Sequence, residues 1–362
     1  MFSFARHSKS KISNWWWTVD KVSFSLAVFL IFIGAMLVLS ASPSAAHRDR
    51  LADDFAFIKK QGVFIFMGLV LMIGVSMQNL RTIRRLAVFG FLCAFAGVVL
   101  TYVVGDATKG AARWIKFAGF SLQPSEFIKP VFIVVTAWLL DANKRIEDFP
   151  GMTLAVGLFL LTALSVFGQP DLGMTVLISG VWALQMVWAG IPVWLIMTLF
   201  SAGLVLVTGS YFFLAHVRDR IDRFLASENE IGSQIQKSMD AFANGNLLGR
   251  GPGEGYVKMT LPDVHTDFIF ALAGEECGVW LTTIIVAAFA AIVVRSMTLS
   301  MRDNNLFVMY AASGLAASLG GQAIVNMCSA LQLMPAKGMT LPFVSYGGSS
   351  MLASCLAMGM LL

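Results

Sequence analysis

The chain has 362 residues, 57% of them apolar and only 13% charged, with a mean hydropathy of +0.75. A soluble domain carries about 25% charged residues, so a soluble catalytic domain, a nucleic-acid binder and a disordered regulator are excluded. The excess of 26 Lys and Arg over 21 acids, net +5, is too small for a nucleic-acid partner and fits a chain bordered by anionic lipid.

In chain order, residues 1–21 form a basic and aromatic tail whose Trp15-Trp16-Trp17 cluster suits a membrane–water interface. A hydrocarbon core of about 30 Å needs roughly 20 apolar residues per helix. Such windows fall near 22–42, 62–78, 86–105, 125–141, 152–168, 172–190, 192–214, 267–294, 306–328 and 343–362. They predict an all-α polytopic membrane protein of about ten transmembrane helices, one domain over 22–362. The first run is long, lacks an A-x-A site and follows a basic tail, so it reads as a retained helix and not a cleaved signal. Cys93, Cys277, Cys328 and Cys355 lie in apolar runs without a CxxC pair and read as small core hydrophobes.

With the N-terminus inside, the inner segments hold eleven Lys and Arg and the short outer loops eight, once the long 215–266 segment is discounted. This predicts a cytoplasmic N-terminus and a long periplasmic loop at about 215–266, between helices 7 and 8. Inner connections are short, such as 79–85 and 141–150, whereas the outer side carries 43–60, 106–124 and 215–266. Loops longer than about 15 residues are usually functional or disordered, which puts chemistry on the outer face.

Several polar constellations interrupt the apolar pattern. Lys109 to Trp114 leads through Gln123-Pro124-Ser125-Glu126 to Lys129. Pro124 is placed to open the fourth span, and Glu126 and Lys129 share one helix face. Ionisable groups within a span are usually functional and tend to pair with one another; an internal pair that merely neutralises itself is the alternative. Gln169-Pro170-Asp171-Leu172-Gly173 reads first as an ordinary turn. Arg218, Arg220 and Arg223 open the long loop, which continues through Gln234, Ser238 and the glycine run Gly249 to Gly255. No strand precedes those glycines, so a nucleotide fingerprint fails its own context test. A flexible loop able to approach a phosphate or sugar and a plain solvated loop both remain open.

Leu261 to Phe268 carries His265, Thr266 and Asp267 and runs into Glu275-Glu276. Asp267 is expected in the first turn of the eighth span, where the helix dipole alone tolerates an acid. A partly desolvated carboxylate there can also serve as a general base. Lys129 is the expected partner for Glu275 or Glu276. Gln322 and Asn326 lie one turn apart on the ninth span, ahead of Lys337, Ser345 and the small residues Gly347 to Ser350. The small residues suit close helix packing, and Lys337 suits contact with an anion.

Taken together, Gly110–Trp114 with Gln123–Lys129, Gln169–Gly173, Arg218–Leu225, Leu261–Gly278 and Pro335–Ser350 resemble the SEDS family of bacterial shape, elongation, division and sporulation proteins. The resemblance covers nearly the whole chain. Pro-Ala-Lys-Gly before Leu-Pro-Phe is similar to the division branch more than to the elongation branch, and the Gly-Pro-Gly-Glu-Gly run resembles alphaproteobacterial members. The resemblance implies an inverting peptidoglycan glycosyltransferase of the inner membrane that polymerises lipid II at the division septum. It implies Asp267 as the catalytic residue. Glu126, Lys129, Lys109, Arg113, Arg218, Arg220, His265, Thr266, Lys337 and Ser345 would then contact or orient substrate, with a divalent cation (Mg or Mn) as a further option at Asp267. Implied partners are an FtsI-like class B penicillin-binding transpeptidase, the division proteins FtsQ, FtsL, FtsB and FtsN, and membrane lipids. A lipid II flippase, an elongation-type polymerase and a non-catalytic scaffold remain the alternatives.

Overall fold

The computed structural model describes residues 11–48, 52–104, 106–108, 111–117, 120–169, 171–213, 215, 218–219, 222, 234–334 and 338–362. The helices are α1 (Lys11–Thr18), α2 (Lys21–Arg48), α3 (Ala56–Ser76), α4 (Leu80–Val104), α5 (Pro124–Arg145) and α6 (Gly151–Gly168). They continue as α7 (Leu172–Trp188), α8 (Val193–Phe213), α9 (Gln234–Gly245), α10 (Ile269–Ser300), α11 (Leu306–Ala330) and α12 (Gly348–Leu361). Each of the ten apolar windows overlaps one of them, and the fold is that of an all-α polytopic membrane protein. By length and composition, α2, α3, α4, α6, α10 and α11 suffice to cross a membrane.

The fourth window, α5, does not meet that test because it carries Glu126, Lys129 and Asp141. Its environment explains them: nearly every residue from Pro124 to Ala142 is buried, and α5 packs against α4, α6, α11 and α12. A helix surrounded by other helices can hold charges that a lipid-facing helix cannot. Pro124 takes the first helical position, where its missing N–H costs nothing.

Two segments expected as irregular loops have structure. Residues 106–122 include three short antiparallel strands, β1 (Asp106–Thr108), β2 (Ala111–Phe117) and β3 (Phe120–Leu122), in the order β1-β2-β3. Within the long 215–266 segment, α9 packs against α10, and Ser238 donates to the carbonyl of Ala330 at 2.7 Å.

The glycine run, one option for which was a flexible loop near substrate, is instead packed against a break in α10. Gly278 there has φ 70° and ψ −165°, a conformation open essentially to glycine. The break frees the carbonyls of Glu275 and Glu276, which accept the N–H groups of Arg250 (3.0 Å) and Gly251 (2.9 Å). A β-carbon on Gly278 would fall 2.4 Å from the oxygen of Leu247, and one on Gly249 2.2 Å from that of Glu276. The glycines therefore serve a close backbone crossing.

At the opposite end of the bundle, part of the expected tail is the helix α1. Trp15 donates its indole N–H to Ser76 at 2.8 Å, and Lys21 lies 5.2 and 4.6 Å over the rings of Trp16 and Trp17. Arg295 of α10 grips both oxygens of Asp20 at 2.7–2.9 Å.

Candidate active site around Asp267

Asp263 has φ 54°, uncommon for a residue with a side chain. Its carbonyl accepts three successive N–H groups, from Thr266 (3.1 Å), Asp267 (3.0 Å) and Phe268 (3.3 Å). Because that carbonyl captures the N–H of Asp267, the helical ladder begins only at Phe268, whose carbonyl takes Ala271 and Leu272. Asp267 thus stands in the turn before α10 and not in its first turn, a correction to the spacing argument.

A second segment, 338–347, is fastened to this turn. Tyr346 donates its N–H to the carbonyl of His265 at 2.8 Å. The Ser345 hydroxyl accepts the N–H of Leu341 (2.8 Å) and donates to the carbonyl of Thr266 (2.6 Å). Gln61 of α3 donates to the carbonyl of Ser345. From α11, the Asn326 amide donates to the carbonyls of Asp267 (2.9 Å) and Met339 (2.7 Å). Asp267 is half-buried, and its carboxylate lies against the wall made by Gly338, where a β-carbon would sit 3.5 Å from Oδ2.

Lys129 is buried with Glu126, 2.7 Å away, and also donates to Gln322 Oε1. Gln322 in turn donates to the carbonyl of Thr340 at 3.0 Å, whose hydroxyl meets Ser350 at 2.6 Å. Gln322 and Asn326 therefore grip adjacent carbonyls, 340 and 339, and bring the α5 ion pair to the segment that faces Asp267.

The expectation that Lys129 neutralises Glu275 or Glu276 is overturned. Both Glu275 oxygens serve as acceptors: Tyr256 and Val257 donate N–H to Oε1 (2.8 and 3.0 Å), and Val257 also reaches Oε2 at 3.1 Å. Glu276 pairs with Lys258 at 2.8 Å and accepts from Ser40 of α2. Eight or nine residues of helix carry these acids away from Asp267, and the 253–259 segment folds back to meet them.

Other expected contacts have structural engagements. Arg113 pairs with Asp171 at 3.2 Å and donates to the carbonyl of Gln169, so its charge is already opposed. Asp171 also caps α7 by accepting the N–H of Met174. Arg218, which is exposed, donates to the carbonyls of Tyr211 and Phe212 at the end of α8. His265 is buried between Phe57 and Tyr346, with ring centroids at 4.5 and 5.3 Å. Thr266 turns its hydroxyl to the carbonyl of Asp263. Ser345 is buried, with its hydroxyl proton given to the carbonyl of Thr266. Lys109, Arg220, Arg223 and Lys337 lie outside the described residues.

Sequence reasoning noted Asn326 without giving it a role and passed over Gln61 and Ser40. Buried amides in apolar helices were the available signal, because each demands partners. Among the described residues, no three of His, Cys, Asp and Glu gather into a cation site. Asp267 suits a magnesium-like ion only as a single carboxylate ligand sharing the ion with phosphate oxygens, a common arrangement for such ions.

The fold and this site define a polytopic membrane protein whose loop-borne carboxylate is braced by buried amides from neighbouring helices. The chain belongs to the family described as "Cell cycle protein", comprising FtsW, RodA and SpoVE, whose sequence model matches residues 20–362. A relative from Caulobacter vibrioides named "Probable peptidoglycan glycosyltransferase FtsW" is 40% identical over 360 residues, covering 99% of this chain and 92% of that one. A Geobacter metallireducens relative of the same name is 37% identical over 356 residues, covering 95% and 93%. Among solved structures, one described as "Structural coordination of polymerization and crosslinking by a peptidoglycan synthase complex" superposes with a TM-score of 0.79 at 25% identity, covering 96% and 97%. RodA of Thermus thermophilus superposes with a TM-score of 0.68 at 24% identity, covering 96% of each chain, and shares the fold.

Proposed function

We propose that this chain is a peptidoglycan glycosyltransferase that polymerises lipid II into glycan strands during septal wall synthesis, with Asp267 as its general base. The carrying observation is the bracing of Asp267: its N–H and carbonyl are both fixed, while the residue as a whole is only half-buried at the end of the bundle. A base held in place but reachable is what proton abstraction from a bound alcohol needs.

In the reaction, the 4-hydroxyl of the acceptor GlcNAc gives its proton to the Asp267 carboxylate. Its oxygen forms a bond to the anomeric carbon of the donor MurNAc as the bond to undecaprenyl diphosphate breaks. Attack opposite the leaving group inverts the anomeric centre. Diphosphate leaves without the protonation that a glycosidase gives a leaving sugar oxygen, so one carboxylate suffices. Charge developing on the diphosphate calls for fixed cations. Lys337, next in sequence to Gly338, is the foremost candidate, followed by Lys109, Arg220 and the exposed Arg218. Glu126 and Lys129 act through Gln322 on the wall opposite Asp267. A divalent cation, when bound, would be held by Asp267 with diphosphate oxygens and would supply neutralising charge.

Relatives named FtsW at 32–40% identity support the division branch over the elongation branch. The solved relative described in terms of polymerization and crosslinking supports a crosslinking transpeptidase, FtsI-like, as partner. FtsQ, FtsL, FtsB and FtsN, a septal location in the inner membrane and a cytoplasmic N-terminus complete the proposal. The test is product. Purified chain with its transpeptidase, given labelled lipid II in liposomes, should yield glycan ladders. Movement of lipid II between leaflets without lengthening would instead identify a flippase.

A further inference from the structure

We infer that Asn326 is a positioning residue for the Asp267 carboxylate; this rests on the reading of Asp267 as the base. Its side-chain nitrogen stands 2.9 Å from the carbonyl of Asp267 and 2.7 Å from that of Met339. Of the two ends of the amide, only the NH2 can donate to both acceptors, because the oxygen placed there would face two lone-pair oxygens. The amide orientation is therefore dictated by its surroundings.

Each of its two hydrogens serves a different segment. One fixes the backbone of the residue that carries the carboxylate. The other fixes Met339, beside the Gly338 wall that the carboxylate faces. Asn326 is itself buried and stands on α11, a long helix, so the clamp is anchored on a rigid element. One side chain thus ties the backbone of the base to the segment that its carboxylate faces.

The molecule contains a matching amide that does not touch this site. Gln185 of α7 is fully buried and donates to the carbonyls of Ile133 (3.0 Å) and Tyr310 (3.1 Å). It joins α5 and α11 inside the bundle. Each amide leaves its own oxygen without a partner, so truncating either removes the same two bonds. Gln185 is the internal standard for structural loss alone.

The experiment measures lipid II polymerisation and thermal unfolding for the full chain with its transpeptidase. A misplacement near 1 Å costs on the order of 100-fold in rate, so Asn326→Ala should lower kcat by about 10- to 100-fold with KM within about twofold. Asn326→Asp keeps the shape but turns an oxygen toward both carbonyls, and should lose at least as much. Gln185→Ala should lower the melting temperature as far as Asn326→Ala does, yet keep kcat per folded molecule within about twofold. Asp267→Asn is the reference arm: parental activity there would refute the base itself. With Asp267→Asn inactive, a parental kcat in Asn326→Ala or Asn326→Asp would overturn the positioning role alone. If neither Asn326 variant folds while Gln185→Ala does, the clamp holds the fold and the inference also fails.

Discussion

Glu126–Lys129 and Glu276–Lys258 are both sealed ion pairs, at 2.7 and 2.8 Å, yet they hold different things. The first spans one turn of α5 and reaches, through Gln322, the segment facing Asp267. The second joins the 253–259 segment to α10 and to Ser40 of α2. Burial and pairing are equal in the two, so neither property marks a functional pair. The third group each pair touches makes the difference. A buried ion pair is in any case weak evidence of net stabilisation, because desolvation offsets the attraction.

That contrast can be broken by removing one partner at a time. Glu276→Ala leaves Lys258 buried without its carboxylate, which should cost about 3–5 kcal/mol. Calorimetry or thermal unfolding in detergent reads the loss, and the paired change Glu276→Leu with Lys258→Met should recover most of it. Lys129→Met leaves Glu126 buried without its ammonium partner and should cut polymerisation at least about tenfold through the lost contact to Gln322. Equal activity in folded Lys129→Met and folded Glu276→Ala would erase the distinction.

Smaller changes sharpen the picture around α10. Gly278→Ala demands a positive φ and a β-carbon where the Leu247 carbonyl already lies, at a cost of about 1–3 kcal/mol. Hydrogen exchange should then rise in 245–251 before the bundle core. The least effect is expected at the opposite end. Burial there would raise the Asp20 carboxyl, but bonds from Arg295 and Ser23 outweigh it and hold the group below its ordinary 3.8. The pair's contribution is therefore complete above that value and fades as pH falls through the lower, folded value. Asp20→Asn should give a small drop in melting temperature near neutral pH, shrinking with added salt.

Much of the architecture was legible in the chain because lipid imposes a length rule that residues 22–362 obey visibly. Pro124, Glu126 and Lys129 were readable for the same local reason, as neighbours on one helical turn. Long-range partners were not. Nothing at positions 275 and 276 indicates that Tyr256, Val257 and Lys258 fold back to meet them, so Lys129 was a reasonable but wrong partner. The strands of 106–122 carry too few apolar alternations to announce themselves. The glycines of 245–251 looked like freedom and instead serve close contact, a distinction that only the neighbouring backbone makes.

The most direct measurement is the turnover of lipid II by Asp267→Asn, which keeps the side chain's shape and removes its charge. With Asp267 as the base, the purified variant with its transpeptidase should bind lipid II normally and polymerise about 10²–10⁴ times more slowly. Polymerisation at the parental rate would contradict that role outright.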